Sequence, residues 1–197
     1  MTSSIAVARA RLPEMVLRYT DVRSYVLTLV FVSLSVLTPW AFHQFHLAGP
    51  TFLPMHIFVL TAGLVFGWRA GLIVGLLTPL ASYVVSGMPG VAVLPQIIIE
   101  LSVYGMVAGL LREKFNLRIS WALLGAMIAG RLAMLLAVLA VYVIIGRVFS
   151  PLGPEASPFL AAWAAVKLGW PGLVIQLASI PLIVWMVGRL VARTSAR

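Results

Sequence analysis

The sequence predicts an all-α integral membrane protein, a compact bundle of six transmembrane helices with both termini in the cytosol. Three observations carry this. Of 197 residues, 62% are hydrophobic and only 10% are charged, more apolar surface than a soluble domain of that length can bury. Apolar runs close to the roughly 20 residues that a membrane helix needs recur six times. The basic residues gather in alternate connections, which is the asymmetry that sets membrane orientation. The chain has no cysteine, so disulfides, thiolate metal ligands and thiol nucleophiles are excluded.

Taken in order, residues 1–22 read as a cytosolic leader, in part an interfacial helix. They carry Arg9, Arg11 and Arg18, lack the apolar run of a signal peptide, and are interrupted by Pro13. The membrane domain covers 23–193 and a short cytosolic tail 194–197. Span one is expected at 24–43. Spans two (52–68) and three (71–87) are short and separated only by "WRA". Span four is expected at 91–111, span five at 119–145, and span six at 171–192 after an apolar prelude at 159–169. The connections "QFHLAGPT", "GMPG" and "GRVFSPLGPEASP" are rich in Gly and Pro and nearly uncharged, suited to folding over the bundle as lids.

Arg9, Arg11, Arg18, Arg23, Arg69, Arg112, Lys114, Arg118, Arg189, Arg193 and Arg197 all fall on one side of a six-span arrangement, while the opposite connections hold only Arg147. This places both termini inside. It also accounts for the formal net charge of +9 without nucleic acid, since no basic patch interleaved with aromatics remains.

Charges at membrane depth are costly and mark partners or function. Glu100 in span four and Arg131 in span five fall at matching depths, so an ion pair between them is expected, either locking the two helices or serving a ligand. Gln96, Glu100 and Tyr104 share one helix face; Gly105 and Gly109 share another. One face suits a cavity, the other close packing. Glycines at 63, 67, 71 and 75 mark close approach between helices. His43, His46 and His56 cluster at the outer ends of the first two spans, but no carboxylate accompanies them at ligand spacing and no HExxH pattern occurs, so they are not assigned a metal. Lys167, between Trp163 and Trp170, reads as an interfacial cation that snorkels or faces an anionic ligand.

The run "FLPMHIFVLTAGLVFGWRAGLIVGLLTPLASYVVSGMPG", followed by "ELSVYGMVAGLL", resembles the substrate-binding S components of energy-coupling factor (ECF) vitamin transporters. Shared features are the outer "LPMHI", the "G-x-x-x-G-L-L-T-P-L" of span three, the "GMP" loop and the "E-x-x-x-Y-G-x-x-x-G-L" of span four. The likeness covers residues 40–111 well and the remainder by span count. It implies a multi-pass protein of a bacterial or archaeal cytoplasmic membrane. Such a protein binds a water-soluble vitamin or precursor near its outer face and reorients when docked on a coupling transmembrane subunit and two cytosolic ATPases. The chain has no phosphate-binding G-x-x-x-x-G-K-[ST] of its own, so it is read as a transport component and not an enzyme, with no cofactor. Span one departs from many members in lacking an Ala-xxx-Ala docking pair; Ala6 and Ala10 precede the membrane. The missing cysteine excludes cobalt ligation through a thiolate.

From depth and facing, the expected substrate contacts are His56, Ser82, Tyr83, Gln96, Glu100, Tyr104 and Lys167, with His43, His46 and Met88 in the lid. Trp40, Phe52, Tyr83 and Trp163 are candidates for stacking on a ring. The alternatives are a solitary S-type transporter, a small membrane enzyme built on the histidines and Glu100, and an assembly subunit that binds no ligand.

Overall fold

The computed structural model describes residues 22–44 and 49–194. All but the inner edges of the expected leader and tail lie outside those residues, as do His46 and the side chain of His43. The described chain is helical: α1 (Val22–Gln44), a single turn α2 (Gly49–Phe52), α3 (Pro54–Phe66), α4 (Trp68–Ser86), α5 (Leu94–Glu113), α6 (Ile119–Ile145), a hairpin of β1 (Val148–Ser150) and β2 (Gly153–Glu155), and α7 (Pro158–Thr194). Among the described residues, α4, α5, α6 and the Pro158–Met186 part of α7 are long and apolar enough to cross a membrane; Tyr25–Ala41 and Pro54–Phe66 are shorter apolar helices.

Three details differ from expectation. The connection between α3 and α4 is not "WRA" but Gly67 alone, which ends one helix and begins the next at φ 90°. Only glycine takes that conformation cheaply, so Gly67 turns the chain where a packing role was expected. The freed Trp68 N–H donates to Glu113 Oε2 at 3.2 Å, a carboxylate where the helix N-terminus favours one. Second, α7 runs unbroken through Pro171 and Pro181. The "prelude" and span six are one helix, because an internal proline removes one backbone hydrogen bond without ending a helix whose neighbours hold it. Third, the connection after α6 contains a short antiparallel hairpin, with Val148 opposite Glu155 and Ser150 opposite Gly153. Ser150 stitches it: its hydroxyl donates to Glu155 Oε1 at 3.0 Å and accepts the Leu152 N–H at 3.0 Å. Three-residue strands carry no readable alternation.

Helix α5 is the axis of the bundle, packed against α3, α4 and α6. Its glycine face makes this possible. A Cβ on Gly63 or Gly71 would collide with the Gly105 carbonyl, one on Gly75 with the Leu101 carbonyl, and one on Gly109 with the Trp68 backbone. Three helices therefore meet backbone to backbone, as small residues allow in lipid, where packing and not the hydrophobic effect drives association. Around this contact lie the fully buried Val59, Leu60, Leu101, Leu123 and Ile180. The outward faces of α1 and α6 expose Leu29, Leu37, Leu132, Leu136 and Ile144, an apolar exterior of the kind lipid covers.

Gly105→Val places a branched side chain against backbone that cannot rotate aside. We expect a loss beyond the roughly 1–3 kcal/mol of ordinary overpacking, seen as a lowered unfolding temperature in detergent. Gly90→Ala, where an added Cβ meets nothing within 4 Å, leaves that temperature unchanged.

Candidate functional site

The site begins where α3 begins. Leu53 adopts a left-handed conformation (φ 50°) and Pro54 opens the helix, a residue whose fixed φ suits a first turn. The buried Gln176 of α7 directs its amide nitrogen to the Leu53 carbonyl at 3.5 Å. This turn delivers His56 inward, where it is 5% exposed. Its ring stands edge-on to Tyr104 of α5, centroids 5.2 Å apart at 80°. A Cβ on Gly130 of α6 would strike the Tyr104 ring, so a glycine one residue before Arg131 makes space for that tyrosine.

One helical turn from Tyr104, Glu100 meets Arg131. Arg131 Nη1 lies 2.9 Å from Glu100 Oε1 in an ion pair, and His56 Nε2 lies 3.9 Å from the same oxygen. The Glu100 side chain is 5% exposed and that of Arg131 15%. Enclosing two charges this far is repaid only by close pairing and further hydrogen bonds. The further bonds are incomplete: Arg131 Nε and Nη2, both ring nitrogens of His56 and the Tyr104 hydroxyl have no hydrogen-bond partner.

His56, Gln96, Glu100, Arg131 and Ser150 form the polar part of a cavity of about 540 Å³, within the range of small-molecule sites. Its apolar walls include Met55, Met88, Met134, Ile97, Val138 and Leu168, with Pro54, Pro89 and Pro151 around them. The hairpin contributes Phe149 to Gly153, and Gln96 Nε2 donates to the Phe149 carbonyl at 3.4 Å. A largely apolar chamber with a few convergent polar groups can hold and orient a small organic solute.

Of the sequence-predicted residues, the fold brings His56, Gln96, Glu100 and Met88 to this cavity together with Arg131. Tyr104 supports the His56 ring from outside the lining. Ser82 is buried in α4 away from the cavity, and Tyr83 and Lys167 are exposed on the outer surfaces of α4 and α7. Of the candidate stacking rings, none lines the cavity; Phe149 does. Sequence reasoning missed Gln176, whose position in an apolar span was a usable signal, and Met55 and Met134, whose residue type carries none. Among the described residues, no cluster of three or more His, Asp or Glu could hold a metal ion.

Fold and cavity together define a helical membrane protein with a chamber for a small molecule. The model of one protein family, described as the substrate-specific component of ECF transporters, matches residues 23–184. The chain belongs to that family. Comparisons with curated proteins and with solved structures give no match.

Removing one partner of the buried pair strands the other. Glu100→Ala or Arg131→Ala is expected to cost about 3–5 kcal/mol. The double change Glu100→Gln with Arg131→Met recovers much of that loss. A double-mutant cycle on unfolding in detergent measures the coupling; additive losses would contradict it.

Proposed function

We propose that this chain is the high-affinity binding subunit for a water-soluble vitamin or vitamin precursor, which it holds in the chamber above His56, Gln96, Glu100 and Arg131. One observation carries the reading. The connections after α2, α4 and α6 converge on the chamber through Leu53, Met88–Pro89 and Phe149–Gly153, and the distribution of basic residues makes that the outer side. The chamber then opens where a nutrient arrives. The proposed topology has six spans, α1 and α3 to α7, with both termini cytosolic. The proposed cycle is binding at the outer face followed by reorientation of the subunit, energised by an ECF coupling subunit and two cytosolic ATPases.

The contact set proposed is His56, Gln96, Glu100 and Arg131, with Met88 at the rim. Ser82, Tyr83 and Lys167 are left out because they do not line the chamber. A second reading, a solitary S-type transporter, is favoured by one feature: α1 holds no Ala-xxx-Ala pair, its sequence "VRSYVLTLVFVSLSVLTPWAFHQ" having a single alanine.

Mass spectrometry of small molecules released from the purified protein, followed by thermal unfolding against a vitamin panel, tests the function. Binding raises the unfolding temperature, by about 2.7 kcal/mol of stabilisation at one hundred times Kd. A clean preparation that no vitamin stabilises refutes the proposal. Gln96→Ala and His56→Ala are expected to weaken binding, whereas Lys167→Ala leaves it unchanged. The native chain offers no thiol, so single cysteines report topology directly. A cysteine at the exposed Ala156 should react with an impermeant maleimide in intact cells, and one at Ser195 only after lysis.

A further inference from the structure

We propose that the solute is uncharged and carries N–H or O–H donors, which it gives to the amide oxygen of Gln96 and to Oε2 of Glu100; this rests on the chamber being the substrate site. The polar side chains of the lining are His56, Gln96, Glu100, Arg131 and Ser150. Their donors are largely withdrawn from the chamber. Both His56 nitrogens and Arg131 Nε and Nη2 are enclosed by protein. A Cβ on Gly169 of α7 would meet Leu53 and Arg131 Nη2, so α7 and Leu53 close that edge of the guanidinium. Arg131 Nη1 lies 2.9 Å from Glu100 Oε1 and 3.7 Å from Met134 Sδ. The Ser150 hydroxyl donates within its own hairpin, to Glu155. The Gln96 amide nitrogen is turned to the Phe149 carbonyl, and Glu100 Oε1 is enclosed. Two acceptors remain open among these side chains, Gln96 Oε1 and Glu100 Oε2.

Gln96 is 4% exposed and the Glu100 side chain 5%. The two lie one turn apart on α5, about 6 Å along its axis. An acceptor enclosed this far is costly unless a donor reaches it; two donors at matching spacing satisfy both. Charge is the second constraint. Glu100 and Arg131 are the charged residues of the lining and cancel one another. An anion would meet open acceptors, and a cation would meet an acid already paired with an arginine that repels it. Neither finds an unpaired countercharge, and a charge taken from water without one is costly. The remaining walls, among them Met55, Ile97, Met134 and Val138, suit an apolar body. The inferred solute is a neutral amide, polyol or N–H heterocycle, its donors toward α5 and its apolar part toward the methionines. Arg131 acts through Glu100, by neutralising it.

The test uses the full-length protein in nanodiscs, with calorimetric titration of neutral solutes against analogues that lack a donor: pyridoxine and 4-deoxypyridoxine, riboflavin and lumiflavin, nicotinamide and N,N-dimethylnicotinamide. Pantothenate, nicotinate, biotin and thiamine supply the charged comparison. At least one neutral solute should bind, with its analogue and each charged vitamin roughly tenfold or more weaker, the worth of one hydrogen bond to an enclosed or charged acceptor. Gln96→Leu removes one acceptor, and Glu100→Met with Arg131→Met removes the other without stranding a charge. The preference over the analogue should narrow in one of these variants, according to which acceptor the lost donor met, while the unfolding temperature stays near that of the parent. If Gln96→Leu does not fold, Gln96→Met serves the same purpose. Equal or tighter binding of a charged vitamin, or of the analogue of the solute that binds, overturns the inference and leaves the vitamin-binding proposal standing. A preference unchanged in both folded variants overturns the roles of Gln96 and Glu100. No binding by any compound removes both proposals.

Discussion

The contact at Gly105 governs the arrangement of the rest. Where Gly63 and Gly71 approach it, α3, α4 and α5 lie as close as backbones permit. This fixes the rotation of α5 about its own axis. With the glycine face committed to α3 and α4, Gln96 and Glu100 turn toward α6 and the chamber. A side chain at position 105 would therefore do more than add volume; it would push the polar face out of register with Arg131 and His56. In lipid, such packing replaces the hydrophobic drive that holds soluble cores together.

The polar face follows a different logic. A carboxylate and a guanidinium in an apolar bundle are held by each other, and by little else from the protein. Coulomb attraction in such surroundings is far stronger than in water, so the pair is rigid, and His56 on Tyr104 closes it from the side. The result is a small island of fixed dipoles within methionine and proline walls. Methionine side chains adapt to the shape of a guest; the island does not. Orientation and accommodation are thus divided between different residues of one chamber.

Much of this was legible in the sequence because it is periodic. The spacing of Gln96, Glu100 and Tyr104 against Gly105 and Gly109 defined two faces of α5, and the depth argument paired Glu100 with Arg131. The limits of α6 coincide with the apolar run at 119–145, and Pro54 begins α3 as its residue type suggests. What escaped depends on contacts between distant segments or on backbone angles. Gly67 fits the four-residue glycine repeat, and its positive φ emerges only in the fold. Lys167 and Tyr83 lie in apolar runs whose inward face no periodic signal fixes. The hairpin after α6 and the continuity of α7 through "GWPG" have no local pattern to announce them.

The continuity of α7 has a mechanical consequence. Thirty-seven residues at 1.5 Å each make a rod of about 55 Å, against a hydrocarbon layer of about 30 Å. Hydrophobic mismatch on that scale is relieved by leaning, by bending at Pro171 and Pro181, or by projecting into water. The same rod carries Ala165 and Leu168 in the chamber wall and runs on to Thr194 at its far end. A change in its tilt would move both ends together, so the thickness of the surrounding bilayer becomes a variable that bears on the shape of the chamber.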